Sequence, residues 1–102
     1  MKRVRLSAQT ELDLDDIWNY VANQSANIDV ADKVLEAIGQ RIRLLRHTPL
    51  AGRRRDDIQP GMRSFAAGMY VIYYQVTERQ VFIARVIHGN REQTAAFSED
   101  PN

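Results

Sequence analysis

The chain contains no cysteine, which excludes disulfides, thiolate metal sites and a cysteine nucleophile. It has two histidines, His47 and His88, and no carboxylate stands at a recognisable zinc-ligand spacing from either. No metal or cofactor is therefore expected. The five glycines are scattered and form neither a G-x-G-x-x-G turn, a P-loop nor a G-x-S-x-G elbow. Ser7, Ser25, Ser64 and Ser98 have no triad context. No apolar run approaches the roughly 18 residues needed to span a membrane. The charged opening MKRVRL has no long apolar stretch behind it, so a signal peptide is not expected and a cytoplasmic protein is.

What is present is strongly polarised. The net charge of +1 conceals seven acidic side chains against the single Lys33 over residues 8–40. Residues 41–63 reverse this, with Arg41, Arg43, Arg46, Arg53, Arg54, Arg55 and Arg63 against Asp56 and Asp57. Separation of this kind gives a folded domain a dipolar surface that steers a partner of the right sign, or simply two solvated faces.

At 102 residues there is room for one core, and residues 1–102 are read as one domain. Residues 3–6 alternate as a short strand, and Ser7 stands where a helix N-cap belongs. Leu14, Ile17, Trp18 and Val21 recur at helical spacing, predicting a helix over about 8–24 with Trp18 largely buried between helices and sheet. A second helix is predicted from Asp29 to Arg46 on Ala31, Val34, Leu35, Ile38, Ile42 and Leu45, with Pro49 as its stop. Gly39 inside it suggests close approach of the first helix, and His47 a hydrogen bond at the helix end. After a loop over 47–61, strands are predicted at 62–65, 69–76 and 81–87, the middle one apolar on both faces and hence central. The fold class is α+β: a short strand, an antiparallel helical hairpin and three antiparallel strands, with the helices on one face of the sheet. The first strand is expected beside the last, in parallel. Residues 90–97 are read as a short helix or an extended tail, and 98–102 as a frayed end.

Two groups of residues are candidates for function. Arg53, Arg54 and Arg55 can neutralise phosphates or meet a carboxylate-rich protein segment; Asp56 and Asp57 partly cancel them if the loop is merely solvated. Arg85, His88, Asn90, Arg91 and Glu92, with Tyr70, Tyr73 or Tyr74 across the sheet, form the second group, although alternation along a strand that stays regular through 88 sets Arg85 and His88 on opposite faces. RNA cleavage by acid–base chemistry needs a proton carrier and a cation acting together. Arginine supplies the charge but is a poor base.

Leu6-Ser7, Asp13-Leu14-x-x-Ile17-Trp18-x-Tyr20, the span from Pro49 to Ile58, Pro60-Gly-Met-Arg-Ser-Phe65, Tyr70-Val-Ile-Tyr-Tyr74 and Arg85-Val-Ile-His-Gly89-x-Arg91, in that order and spacing, resemble the ParE toxins of the RelE/ParE toxin–antitoxin superfamily. The resemblance implies a type II toxin associated with plasmid or chromosomal stabilisation. It further implies inhibition of DNA gyrase and neutralisation by a ParD-like antitoxin, with operator DNA reached only through that antitoxin. Antitoxin or target contacts are then expected among Arg53, Arg54, Arg55, Arg63, Arg85, His88 and Arg91, with no catalytic residue. The alternative within the superfamily is a ribosome-dependent mRNA endonuclease of RelE type. Arg63 and Arg85 fall near basic positions of that enzyme's set, but its lysines are missing: the chain's lysines are Lys2 and Lys33.

Overall fold

The computed structural model describes residues 1–90, so the expectations for the chain beyond Asn90, Arg91 included, lie outside the described residues. The elements are β1 (Arg3–Leu6), α1 (Ala8–Ser25), α2 (Ile28–His47), β2 (Arg53–Arg54), β3 (Met62–Ala67), β4 (Tyr70–Val76) and β5 (Gln80–His88). They build one five-stranded sheet in the order β1-β5-β4-β3-β2. All neighbours are antiparallel except β1 and β5, which run parallel with Arg3 opposite Gln80 and Leu6 opposite Ile83. The strand β2 was not predicted; two arginines carry no alternation of apolar and polar side chains by which to recognise it.

Each helix starts where a side chain satisfies an orphan amide. The Ser7 hydroxyl accepts from Thr10 N–H at 2.9 Å, and Asn27 Oδ1 accepts from Asp29 N–H at 2.8 Å. Between the helices the chain turns through Ala26, which adopts the left-handed conformation at φ 54°. At the far end of α2 it is Thr48, and not His47, that closes the helix. Its backbone N–H and its hydroxyl both donate to the Leu44 carbonyl at 3.1 Å.

The apolar stripes of the hairpin lie on one face of the sheet. Ile17, Ile38, Ile42 and Leu45 meet Ile72, Tyr74, Val81, Ile83 and Val86 in the main core, joined by half-buried Leu14, Val21, Val34 and Leu35. A smaller cluster of Met62, Tyr73 and Ile87 occupies the opposite face, with Ile58 of the preceding loop packed against it. The central strand β4 thus feeds both clusters, as its two-sided hydrophobicity requires.

Two local expectations are corrected. Trp18 is half-buried: its indole N–H donates to Asp32 Oδ1 at 2.8 Å on the solvent side of the hairpin, so the ring packs between the two helices at their rim. Gly39 does not mark contact with α1. A Cβ there would meet the end of the Arg43 side chain at 3.3 Å, a group free to move aside. Replacing Gly39→Ala should therefore stabilise the protein by about 0.5–1 kcal/mol through helix propensity. For a domain of this size that corresponds to a rise in thermal midpoint of roughly 2–8 °C, measurable by calorimetry.

Candidate functional site

The strand β1 has four residues and β5 has nine, so the last part of β5 pairs with β4 but has no strand on its other side. The backbone groups that face away from β4 there still require partners, and the start of α1 supplies them. Ser7 N–H and Thr10 Oγ1 donate to the Ile83 carbonyl at 3.0 and 2.9 Å, and Ser7 Oγ donates to the Ala84 carbonyl at 2.9 Å. Asp13 Oδ2 accepts from Val86 N–H at 3.0 Å. Ser7, Thr10 and Asp13 follow at three-residue spacing, so one side of the helix start runs along the strand edge.

Arg85 completes this arrangement. Its Nε and Nη2 donate to the two Asp13 carboxylate oxygens at 2.9 and 3.0 Å, a bidentate pair with side chains 15% and 7% exposed. Gln9 Nε2 adds a further donor to Asp13 at 3.2 Å. A β-bulge at this point pairs Tyr73 with Arg85 and Tyr74 with Ile83, leaving Ala84 as the extra residue. Beyond the bulge, Val86 faces the helices and Ile87 the opposite cluster. His88 packs edge-on against Tyr70 with ring centroids 5.3 Å apart, and its Nδ1 accepts from Asn90 N–H at 3.0 Å. A groove of about 480 Å³ is lined by Asp13, Asp16, Ile17, Tyr20, Tyr70 and His88, and the guanidinium of Arg85 is held by one of these residues, Asp13. Arg85 is thus engaged by Asp13, and His88 by Tyr70 and Asn90.

At the other end of the sheet the arginine run is largely engaged. Arg54 pairs with Asp56 and Arg55 with Asp57, each at 2.9 Å. The Asp57 side-chain hydrogen bond holds the Arg55 guanidinium above its ordinary pKa. Asp56 lies below the usual carboxylate range, first because it accepts from Gly61 N–H at 2.9 Å. Arg55 also lies over the Tyr73 ring, 6.0 Å from its centroid, and burial pushes that phenol's pKa up. Arg53 enters no ion pair among the described residues. Arg63 donates to the Gly52 carbonyl at 2.8 Å and so ties the loop to the sheet.

The sequence offers Tyr74 as a candidate neighbour of the second group and Gly52 as part of the span from Pro49 to Ile58; the bond between them, which fixes this loop, is not legible in it. The Tyr74 hydroxyl donates to the Pro49 carbonyl at 2.7 Å and accepts from Gly52 N–H at 2.8 Å. Burial raises the phenol's pKa, which keeps the donating proton in place. A Cβ on Gly52 would lie 2.5 Å from that hydroxyl and 2.7 Å from the Ser64 carbonyl, so no larger residue fits without moving the sheet.

The two networks generate two predictions. Asp13→Ala leaves Arg85 and Val86 N–H without their carboxylate and should cost about 3–5 kcal/mol. Arg54→Ala, at a pair open to water, should cost no more than about 1 kcal/mol. Urea unfolding of both variants tests the contrast. Tyr74→Phe strands the buried Gly52 N–H and should cost roughly 1–3 kcal/mol. Amide exchange at Gly52 should accelerate in that variant by more than the change in global stability accounts for.

Comparison with known proteins gives this architecture a family. The profile described as the ParE toxin of the type II toxin–antitoxin system parDE matches residues 4–93. Toxin ParE1 of Caulobacter vibrioides is 34% identical over 95 residues, covering 93% of this chain and 97% of that protein. Toxin ParE1 of Mycobacterium tuberculosis is 31% identical over 87 residues, covering 84% and 88%. Among solved structures, the chromosomal ParDE system from P. aeruginosa has the same fold, with a TM-score of 0.75 at 19% identity over 86% of this chain and 96% of that one. A helical hairpin on one face of the sheet, its first strand in parallel with its last, and a family profile spanning nearly all the described residues agree: the chain belongs to the ParE toxin family of type II toxin–antitoxin systems.

Proposed function

We propose that this toxin acts by binding DNA gyrase, without a bond-breaking step of its own, and that a ParD-like antitoxin holds it inactive. In this reading operator DNA is reached only through the antitoxin, and the complex works in the cytoplasm. No helix among the described residues is long and apolar enough to cross a membrane.

The family supports the gyrase reading, and one observation favours binding over RNA cleavage: Arg85 is committed to Asp13 by two charge-assisted hydrogen bonds. Cleavage needs a cation at the developing phosphorane and a proton carrier in reach of the same phosphate. Turning Arg85 to a phosphate would strip a buried carboxylate of its cation, at a cost of several kcal/mol. His88 packs on Tyr70, and its Nδ1 accepts from Asn90 N–H.

The surface proposed for the partners is the segment around β2. Arg53 and Arg54 are exposed there, on a strand anchored by Arg63 and Tyr74. Arg55 and Arg85 would act on partners mainly through the segments they position, and His88 from the wall of its groove. Arg91 completes the candidate set beyond the described residues.

Purified toxin should inhibit gyrase supercoiling of plasmid DNA and leave ribosome-bound mRNA intact, both effects being read in one preparation. Codon-associated mRNA cuts with gyrase undisturbed would replace this reading with the endonuclease one. Under the endonuclease reading with His88 as proton carrier, His88→Gln would lower cutting by roughly 10²–10⁴-fold.

A further inference from the structure

The two ends of the sheet are finished differently. In β1 the backbone groups alternate in direction: Arg3 N–H donates to the Arg79 carbonyl at 3.0 Å, and Ser7 N–H to that of Ile83 at 3.0 Å. The N–H and C=O groups of Val4 and Leu6 therefore point away from β5, and β1 has no second strand neighbour. Just before them the edge is closed, because Lys2 N–H donates to the Arg46 carbonyl at 3.4 Å and the Lys2 carbonyl accepts from Arg46 Nε at 3.3 Å. Among the described residues no hydrogen bond engages the outward groups of Val4 or Leu6.

Beside this open edge lies a groove of about 370 Å³ between β1 and α2, lined by Arg3, Val4, Ile42, Arg43 and Arg46. Val4 and Ile42 belong to the apolar core and give the groove an apolar floor. The three arginines enter no ion pair among the described residues. Arg5 extends the positive charge along the other face of β1, where it lies over the Phe82 ring at 4.9 Å. Sequence segmentation conceals this patch, since Arg3 and Arg5 stand at one end of the acidic stretch and Arg43 and Arg46 at the other.

We propose that β1 is a docking edge for an extended acidic polypeptide segment, added to the sheet as a sixth strand. Its backbone would pair with Val4 and Leu6. Side chains on the helix face would place one apolar residue over Val4 and Ile42, with acidic neighbours reaching Arg43 and Arg46. Those on the other face would place carboxylates beside Arg3 and Arg5. Strand addition supplies affinity through the backbone and selectivity through alternate side chains. A second copy of this chain fits poorly, because edge-to-edge pairing would set Arg3 and Arg5 against their own counterparts. A nucleic acid could neutralise the arginines but has no amide ladder with which to use the edge.

The proposal is independent of which cellular target the toxin has, and its test uses no gyrase. The probes are a ten-residue peptide of glutamates around one central valine, the same peptide N-methylated on alternate residues so that its edge-facing N–H groups are lost, and a ten-nucleotide polyuridine. Binding to the full chain is followed by fluorescence anisotropy, and backbone amides by NMR. The unmodified peptide should shift the Val4 and Leu6 amides and slow their exchange at least tenfold. N-methylation should weaken binding tenfold or more, and Arg43→Glu should weaken it about as much while leaving the fold intact. Equal binding of the methylated peptide, tighter binding of the polyuridine, or unchanged Val4 and Leu6 amides would each overturn the proposal. Because methylation alters the peptide and not the toxin, the outcome stands even if a protein variant fails to fold.

Discussion

A strand edge with no neighbour sets the terms for this molecule. The first strand stops at Leu6, yet the strand it accompanies continues to His88, and the exposed carbonyls and amide of the continuation must be satisfied. The first helix does this with Ser7, Thr10 and Asp13. Fixing those three side chains sets both the rotation and the axial position of α1, which delivers Ile17 to the core and leaves Tyr20 outside it. The second helix then follows through a two-residue turn, with little freedom of its own. Arg85 is held as a by-product: the carboxylate that caps the strand edge needs a counter-charge once buried, and the residue next to Val86 provides it.

This constraint explains what could be read from the chain and what could not. Both helices, the three long strands and the parallel return of the first strand followed from periodicity and connection lengths, because hydrophobic burial dominates those choices. Asp13 was legible only as one of the seven acids of residues 8–40 and as a residue of the Asp13-Leu14 motif. Its signal was its position, since Thr10 and Asp13 interrupt the stripe that continues with Ile17; polar residues in an apolar stripe imply polar partners. Arg85 looked like an available cation because sequence shows that a guanidinium exists and not which carboxylate 72 residues away it meets. Trp18 reads from sequence as core, but an indole at the rim of a helical hairpin can bury its ring and still offer its N–H to Asp32. The bulge at Ala84 left no mark in the pattern at all.

The arginines divide by what surrounds them, and that division bears on function more than their number does. Arg85 and Arg63 are fasteners, one closing the edge under the first helix and the other tying Gly52 to the sheet. Arg54 and Arg55 are balanced by the two aspartates that follow them. Charge left for a partner is concentrated at the two borders of the sheet, around Arg53 on one side and Arg3, Arg43 and Arg46 on the other. A protein that spends its central cations on its own scaffold and presents the peripheral ones is organised to be gripped, which suits a toxin whose activity is controlled by a partner chain.

The parallel pairing of β1 with β5 also has a consequence in time. Ser7 and Ala84 meet across 77 positions of sequence, so the first strand has no neighbour until nearly all the described chain has been synthesised. Contacts of such separation carry a large loop-closure cost and slow the final step of folding. On the ribosome, the helical hairpin emerges early and must wait with its apolar stripe uncovered for the sheet that will receive it. Closure of the last strand against the first therefore marks the moment at which the nascent chain acquires its surface, leaving an interval during translation in which the toxin exists as sequence but not yet as a shape that anything can recognise.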